Sequence, residues 1–286
     1  MSRTYKTVYQ EGEAQLAQAG IGEASLDARL LLEYVCGTNR NTLLAHGEQE
    51  VSEAAYERYS GLLAKRAGHV PLQHLTGEQE FMGLTFMVNE KVLIPRQDTE
   101  VLVEEVLRNL HDGMRILDMC TGSGCILLSL LQYSNDCVGV GVDLSKEALA
   151  VAAENYQRLC EKRPEMRASF IESNLFTGIQ EKERYEMIVS NPPYIRTGVI
   201  DTLMPEVRAH EPLMALDGSA DGLYFYREIT RQAKEYLKSG GMLFYEIGYD
   251  QAEDVCKIME AEGFREIEVV KDFAGLDRVV YGSWFG

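Results

Sequence analysis

The sequence predicts an α/β protein with a mostly parallel, seven-stranded sheet, preceded by a small helical bundle. Three observations predict this fold. After Gly113, short apolar runs alternate with helical segments, a rhythm typical of a doubly wound parallel sheet. Residues 1–70 carry only helical patterns. Residues 265–285 contain two β-rich runs joined at Ala274-Gly275, which predicts an antiparallel hairpin at the end of the chain.

The helical part, residues 1–70, contains two amphipathic segments. In "SLDARLLLEYVCG" the apolar stripe is made of Leu26, Leu30, Leu31 and Tyr34. Ser25 is the expected N-cap of this helix and Gly37 its expected end. The segment "VSEAAYERYSGLLAKR" repeats the pattern. We therefore expect a separate helical domain here.

A short β-hairpin is predicted next, in a linker over residues 71–95. The run "FMGLTFMVNEKVLIP" alternates, is rich in β-formers and contains Gly83 as a turn signal. The segment "RQDTEVLVEEVLRNL" then predicts a helix capped by Asp98 or Thr99. That helix opens the predicted α/β domain, residues 96–286.

Five strands of the sheet are predicted from short apolar runs. In chain order these are "MRILDM", "VGVGVD", "ASFIES", "YEMIVS" and "GMLFYEI". Helical segments such as "SKEALAVAAENYQRLC" and "LYFYREITRQAKEYLK" lie between them. With the hairpin at the end of the chain, seven strands result.

Composition limits the classes of function. With 45 acidic and 28 basic residues the net charge is −17, which disfavours binding to a phosphate backbone. The six cysteines contain no C-x-x-C pair, so we expect free thiols and no metal site. The N-terminus lacks an apolar signal-peptide core, and no run reaches the roughly 18 apolar residues of a membrane span. We expect a cytoplasmic protein that does not contact membranes and acts as a monomer.

A glycine loop follows the first strand of this sheet. In "ILDMCTGSGCILL", Asp118 ends the strand, and Gly122 and Gly124 precede a helix. Such a turn lets backbone N–H groups approach a ligand closely. A dinucleotide fingerprint would have a third glycine where Leu127 stands, and no Gly-Lys-Ser/Thr of a phosphate loop follows. The preceding acid favours a cationic or hydroxyl-rich ligand.

A second acid, Asp143, ends the next strand and is placed to accept hydrogen bonds from both ribose hydroxyls of a nucleoside. The alternative is that Asp118 and Asp143 only cap helices. An acid, two glycines and a ribose-binding acid resemble the S-adenosyl-L-methionine site of class I methyltransferases, as does the reversed strand of the C-terminal hairpin. Many such enzymes have glycine where this chain has Cys120, so we expect right-handed or extended backbone there.

The segment "MIVSNPPYI" ends the fourth strand with Asn191, two prolines and Tyr194. The prolines fix the backbone. The side-chain oxygen of Asn191 and the carbonyl of Pro192 are positioned to accept both N–H bonds of a planar amide or aromatic amine. The ring of Tyr194 offers a flat wall against that group. Methyl transfer to such a nitrogen depends mainly on orientation, and the sequence supplies no strong general base here.

Together these motifs resemble the HemK/PrmC family of protein-(glutamine-N5) methyltransferases, which act on the Gly-Gly-Gln motif of class I peptide-chain release factors in translation termination. "PLQHLTGEQEFMGLTFMVNEKVLIPRQDTE" is similar to the linker and signature of the family, and "EVRAHEPLMALDGSADGL" to a stretch after the catalytic strand. The resemblance covers nearly the whole chain. It implies S-adenosyl-L-methionine as cofactor, S-adenosyl-L-homocysteine as product, and an N-terminal domain that docks the release factor.

The resemblance also assigns residues. The cofactor site would comprise Cys120, Thr121, Gly122, Ser123, Gly124, Asp143, Leu175 and Asn191. The acceptor glutamine would be bound by Asn191, Pro192, Pro193 and Tyr194, and of these Asn191, Pro192 and Tyr194 would be catalytic. The family more often has aspartate where this chain has Asn174, which leaves the role of that residue open.

Three alternatives remain at this point. Asn-Pro-Pro-Tyr also occurs in methyltransferases that modify amino groups of nucleic-acid bases, which would require a basic groove and a target-recognition segment. A related enzyme class methylates a glutamine of a ribosomal protein, and "IPRQDTE" argues against it. The third alternative is a cofactor-binding interaction protein without catalysis.

Overall fold

The protein is described by a computed structural model that covers residues 3–180 and 184–286. The chain divides into two compact units. The first comprises the chain up to Glu78 together with Met204–His210, and the second comprises Gln79–Leu203 and Glu211–Gly286. Within the described residues, no helix is both long and apolar enough to cross a bilayer.

The first unit is helical. Its helices are α1 (Tyr5–Gln18), α2 (Ala24–Cys36), α3 (Arg40–Ala45), α4 (Glu53–Ala67), α5 (Leu72–Thr76) and, from later in the chain, α9 (Pro205–His210). Gly37 ends α2 in the left-handed conformation, with φ of 59°, as its position predicted. Tyr59 and Leu63 of α4 are buried in a core formed with α1 and α2.

The predicted details of α2 are partly wrong. Glu23 occupies the N-cap position, and Ser25 lies inside the first turn, where its hydroxyl bonds to that of Tyr9 at 2.7 Å. The buried face is made of Ala24, Asp27, Ala28, Leu31, Leu32 and Val35, whereas Leu26 and Tyr34 are exposed. The stripe was misjudged because Asp27 belongs to the buried face, where the guanidinium of Arg66 neutralises it at 2.7 Å.

The second unit contains the sheets. Its strands are β1 (Glu78–Phe81), β2 (Leu84–Met87), β3 (Arg115–Met119), β4 (Val138–Asp143), β5 (Arg167–Glu172), β6 (Tyr185–Ser190), β7 (Leu237–Glu246), β8 (Arg265–Lys271) and β9 (Asp277–Trp284). β1 and β2 form the predicted hairpin. The other seven form one sheet in the order β5-β4-β3-β6-β7-β9-β8.

The class of fold is confirmed. Strands β3 to β7 are parallel, and β9 runs antiparallel to both β7 and β8. The helices of this unit are α6 (Gln97–Asn109), α7 (Cys125–Gln132), α8 (Lys146–Cys160), α10 (Leu213–Leu216), α11 (Tyr224–Ala233) and α12 (Ala252–Ala261). Successive strand residues such as Ile116 and Leu117 belong to two different core clusters, because alternate side chains point to opposite faces of the sheet.

The carboxyl ends of the parallel strands meet at one edge of the sheet, called here the carboxyl edge. In the register of the sheet, Ser190 at the end of β6 pairs with Met119 of β3 and with Tyr245 of β7. The hydroxyl of Ser190 also donates to the carbonyl of Met119 at 2.6 Å. The residues that follow β3, β6 and β7 therefore lie side by side, which is where ligands bind in open α/β sheets.

Candidate active site

A cavity of about 550 Å³ opens at the carboxyl edge, within the volume range of small-molecule sites. Eight of the predicted site residues line it: Cys120, Thr121, Gly122, Ser123, Asp143, Leu175, Asn191 and Pro193. Gly124, Pro192 and Tyr194 adjoin these residues in the chain but are not part of the lining. The cavity therefore brings the glycine loop and the Asn-Pro-Pro-Tyr segment together.

The glycine loop, residues 119–125, is held by hydrogen bonds to both neighbouring strands. The amide of Thr121 donates to the carbonyl of Val142 in β4 at 2.9 Å. The hydroxyl of Thr121 donates to a carboxyl oxygen of Asp118 at 2.5 Å. Gly122 has φ of 54°, and nothing lies within 4 Å of where a Cβ would stand. The loop backbone thus faces open space that a ligand can occupy.

The backbone of Cys120 contradicts the sequence expectation. Its φ is 64°, in the left-handed region, and not right-handed or extended. The loop must turn sharply for the Thr121 amide to reach Val142 and for its hydroxyl to reach Asp118. Those bonds hold Cys120 in a conformation that costs a non-glycine residue about 1–2 kcal/mol. Strained backbone of this kind is often found at functional sites.

Asp118 lies beneath the loop and does not line the cavity. Its side chain is fully buried, and burial raises its pKa to about 7, although the Thr121 hydroxyl partly opposes this effect. A carboxyl group in this position supports the loop from inside. The sequence instead suggested an acid that faces the ligand, but Asp118 is not among the residues that line the cavity.

Asp143 connects the end of β4 to the glycine loop. One carboxyl oxygen accepts from the amide of Gly122 at 2.9 Å, and the other accepts from the amide of Ser145, also at 2.9 Å. Burial raises the pKa of Asp143. Each oxygen retains a second lone pair, and the residue lines the cavity, so it can still accept hydrogen bonds from a diol.

Leu175 and Asn174 form another part of the lining, after β5. Leu175 is buried and has φ of 50°, at the start of a 3₁₀ turn over Leu175–Gly178. The hydroxyl of Ser173 fixes this turn by donating to the carbonyl of Leu175 at 2.7 Å and accepting from the amide of Gly178 at 2.7 Å. An apolar side chain is thereby held against the cavity, where it suits a planar aromatic base.

A hydrogen bond to a residue of α6 holds the side chain of Asn191. Its side-chain nitrogen donates to the hydroxyl of Thr99 at 3.4 Å. With the nitrogen engaged, the side-chain oxygen remains available to accept a hydrogen bond in the cavity. Thr99 is buried in the first turn of α6, and Arg96 occupies the N-cap position, so the predicted caps Asp98 and Thr99 are wrong. Thr99 instead faces Asn191, and Asp98 pairs with Arg278 at 3.2 Å.

Hydrogen bonds of Tyr194 anchor the Asn-Pro-Pro-Tyr segment. Its hydroxyl donates to Glu246 at 3.3 Å, and its carbonyl accepts from the side-chain nitrogen of Gln251 at 3.1 Å. The other polar atom of the Gln251 amide accepts from the amide of Gly248 at 2.9 Å. The ring packs against one of the two core clusters. The role of this ring as a flat wall stays a prediction.

Glu246, at the end of β7, is buried behind the Asn-Pro-Pro-Tyr segment. Burial raises its pKa to about 7, while the hydroxyls of Thr99 and Tyr194 and the charge of Arg278 act in the opposite direction. Glu246, Thr99 and Gln251 were not predicted as site residues from the sequence. Only Glu246 could have been recognised, because it ends a strand at the carboxyl edge as Asp143 does.

The cavity fits an adenosyl cofactor. It combines a glycine loop with free space beside Gly122, a carboxylate that can accept from a diol and an apolar wall at Leu175. Within residues 3–180 and 184–286, no group of three His, Cys, Asp or Glu side chains is arranged to hold a metal ion.

Comparison with known proteins agrees with this geometry. Residues 7–77 match the family model of the PrmC N-terminal domain, and residues 96–206 match the methyltransferase small domain. Among solved structures, a methyltransferase from Pyrococcus furiosus superposes with a TM-score of 0.51 at 16% identity, covering 71% of this chain and 90% of its own. Sheet order, glycine loop and these matches define a class I methyltransferase fold.

Relatives with similar sequences define the family of this chain more narrowly than the fold does. The chain is 41% identical over 284 residues to the release factor glutamine methyltransferase of Caulobacter vibrioides, an alignment that covers 99% of this chain and 97% of the relative. It is 43% identical over 257 residues to that of Clostridium acetobutylicum, with 89% of each chain covered. The chain belongs to the release factor glutamine methyltransferase family.

Proposed function

We propose that this enzyme methylates the side-chain amide nitrogen, N5, of the glutamine in the Gly-Gly-Gln motif of class I peptide-chain release factors. The observation that carries the proposal is a single cavity lined by the glycine loop and Asp143 and also by Asn191 and Pro193. The site for the methyl donor and the site for the acceptor amide thus lie in one cavity. The relatives named above are release factor glutamine methyltransferases, which supports this choice of acceptor.

The cofactor of the family is S-adenosyl-L-methionine, which supplies a methyl group on a positively charged sulfur. In our proposal the residues that hold it are Cys120, Thr121, Gly122, Ser123, Gly124, Asp143, Leu175 and Asn191. Asp143 accepts from the ribose hydroxyls with its remaining lone pairs, and Leu175 contacts the adenine. Gly124 acts through the loop, because its amide donates to the Thr121 carbonyl at 2.8 Å.

Asn191 and Pro192 orient the acceptor. The side-chain oxygen of Asn191 and the carbonyl of Pro192 each accept one N–H of the glutamine amide, which points its nitrogen towards the donor. Pro193 lines the cavity beside them, and Tyr194 fixes the segment through Glu246 and Gln251. Orientation of this kind contributes about 7 kcal/mol or more in favourable cases.

No general base is required by this arrangement. The amide nitrogen of glutamine is a weak nucleophile, because its lone pair is delocalised into the carbonyl. Holding both N–H bonds favours the geometry in which that lone pair faces the donor. The new bond between nitrogen and carbon would form as the bond between that methyl carbon and the donor sulfur breaks, which would leave S-adenosyl-L-homocysteine with a neutral thioether. The nitrogen then releases a proton to water or to a nearby carbonyl.

The remaining parts of the chain have proposed roles as well. The helical domain, predicted over residues 1–70, docks the release factor. The linker predicted over 71–95, which contains the hairpin of β1 and β2, connects it to residues 96–286, which carry out catalysis. We further propose that the enzyme works in the cytoplasm as a monomer. All six cysteines are free thiols, which suits a reducing compartment, and a single chain supplies both sides of the cavity.

Radiolabelled S-adenosyl-L-methionine tests the proposal. The purified enzyme is incubated separately with intact release factor, with release factor carrying Gln→Ala in its Gly-Gly-Gln loop, with ribosomal protein and with duplex DNA. We expect label only on the intact release factor. Label on DNA or on ribosomal protein, or equal label on both release factors, would contradict the proposal.

A further inference from the structure

The segment Glu211–Leu216 places two apolar side chains at the mouth of the cavity. Leu213 is 60% exposed and Met214 is 49% exposed, and both line the cavity together with Asn191 and Pro193. Single exposed apolar residues are common on protein surfaces. Two adjacent ones at the rim of an amide-binding cavity suggest a contact surface, called here the apolar ledge (Leu213 and Met214).

The ledge is fixed on its N-terminal side. The carboxylate of Glu211 is buried and forms an ion pair with the guanidinium of Arg96, which is itself part of the cavity lining. Pro212 follows and restricts the backbone at the start of α10. The ledge therefore begins at an ion pair and a proline, and both hold it in one position.

On its C-terminal side the ledge is attached to the Asn-Pro-Pro-Tyr segment itself. The amide of Ile195 donates to the carbonyl of Leu216 at 3.0 Å, and the amide of Gly218 donates to the carbonyl of Ile195 at 2.8 Å. A Cβ on Gly218 would lie 2.7 Å from the Cα of Tyr194, so the two backbones are in close contact. The ledge thus adjoins the end of the cavity where the acceptor amide is oriented.

We propose that the apolar ledge is the docking surface for the stretch of acceptor protein next to the methylated glutamine. This rests on the function proposed above. The ledge is continuous with the amide-binding cavity and is fixed to the segment that orients the amide, so a chain entering the cavity passes over it. Leu213 and Met214 carry no charge, and the chain as a whole has a net charge of −17, which favours a protein segment over a nucleic-acid strand.

The double variant Leu213→Gln/Met214→Gln tests the ledge. We expect the KM for intact release factor to rise about tenfold, because two half-exposed apolar side chains no longer contact the acceptor. We expect kcat and the Kd for S-adenosyl-L-methionine, measured by calorimetry, to change less than about twofold. The matched control is Phe285→Gln. Phe285 is also 49% exposed and does not line the cavity. The KM of the Phe285→Gln variant should therefore equal that of the unmodified enzyme.

Three results would overturn the ledge proposal. One is an unchanged KM in the double variant. A second is a raised Kd for the cofactor with unchanged KM, which would assign the ledge to the cofactor. The third is an equal rise of KM in Phe285→Gln. If the double variant does not fold, Met214→Gln alone is measured, with about a threefold rise in KM expected.

Failure of the ledge is distinguishable from failure of the proposed function. If the unmodified enzyme labels release factor and the double variant has an unchanged KM, only the ledge proposal is contradicted. An unmodified enzyme that labels DNA and leaves release factor unlabelled contradicts both.

Discussion

At the scale of single residues, the proposed function requires the side chain of Asn191 to present its oxygen to the acceptor. The nitrogen and oxygen of an asparagine amide have nearly the same shape, and a half turn about the last side-chain bond would present N–H groups to the N–H groups of glutamine. The hydroxyl of Thr99 disfavours that turn, because it donates its proton to the carboxylate of Glu246 and so accepts from the Asn191 nitrogen, at 3.4 Å. Thr99 is therefore a positioning residue in this account.

Thr99→Val tests this role because valine keeps the shape and removes the hydroxyl. We expect kcat to fall about fivefold, which corresponds to one hydrogen bond of roughly 1 kcal/mol. The Kd for S-adenosyl-L-methionine should stay the same. Steady-state kinetics and calorimetry measure the two quantities. Thr99→Ser, which retains the hydroxyl, is the control and should recover most of kcat; full turnover by Thr99→Val would contradict the account.

The sequence predicted some of these residues better than others. Asp143 and Asn191 were predicted because each follows a β-rich run, and the carboxyl ends of parallel strands meet. Thr99 gave no such signal, since 92 positions separate it from Asn191 and only the fold brings the two together. Leu213 and Met214 lay in a stretch with family resemblance, but their exposure could not be inferred from the sequence.

At the scale of elements, the glycine loop is a part of the site with strained backbone. Three of its residues have left-handed backbone: Cys120, Gly122 and Gly124. The glycines adopt that conformation at little cost. Cys120 does so because the neighbouring Thr121 is bonded to both Val142 and Asp118. Strand and helix periodicity in the sequence could not reveal this, because it arises from contacts between strands.

Comparison of Cys120→Gly with Cys120→Ala isolates the strain, since both variants remove the thiol. We expect Cys120→Gly to have the larger free energy of unfolding, by about 1 kcal/mol, because alanine retains the penalty for positive φ. Urea titrations measure the difference. In an ordinary strand or helix the order is reversed, so a more stable Cys120→Ala would show that the loop is not left-handed at this position.

At the scale of the whole molecule, the parallel sheet and its reversed last strand followed from the alternation of short apolar runs with helices. The sequence did not predict which segments of the chain make up the first unit. Met204–His210 belongs to it, and Glu206 bonds to Arg66 at 3.2 Å across 140 positions of sequence. A contact of that separation leaves no periodic pattern, so the sequence predicted only residues 1–70 as helical domain.

Stability of the fold should depend on pH through buried carboxyl groups whose pKa is raised, and Asp118 and Glu246 have the largest shifts. Burial raises the pKa of Asp118 and of Glu246 to about 7 in the folded protein. Between about pH 4 and 7 the folded state therefore binds more protons than the unfolded state, and the free energy of unfolding falls as pH rises. The shifts from the ordinary values of 3.8 and 4.5 to about 7 correspond to roughly 3–4 kcal/mol for each group.

Urea titrations at pH 5 and pH 8 test this dependence. We expect the unmodified protein to be less stable at pH 8, and Asp118→Asn and Glu246→Gln each to show a smaller difference between the two pH values. Groups with lowered pKa, such as Glu206, change protonation mainly below this window. A protein that gains stability from pH 5 to pH 8 would contradict the pKa direction.

The central claim is that Asn191 orients the acceptor and that Asp143 holds the cofactor. The most direct test measures the single-turnover rate on release factor and the Kd for S-adenosyl-L-methionine in Asn191→Ala and in Asp143→Ala. We predict that Asn191→Ala lowers the rate about 100-fold or more and leaves the Kd within a few-fold, whereas Asp143→Ala mainly raises the Kd. Equal losses of rate and affinity in Asn191→Ala would contradict the claim.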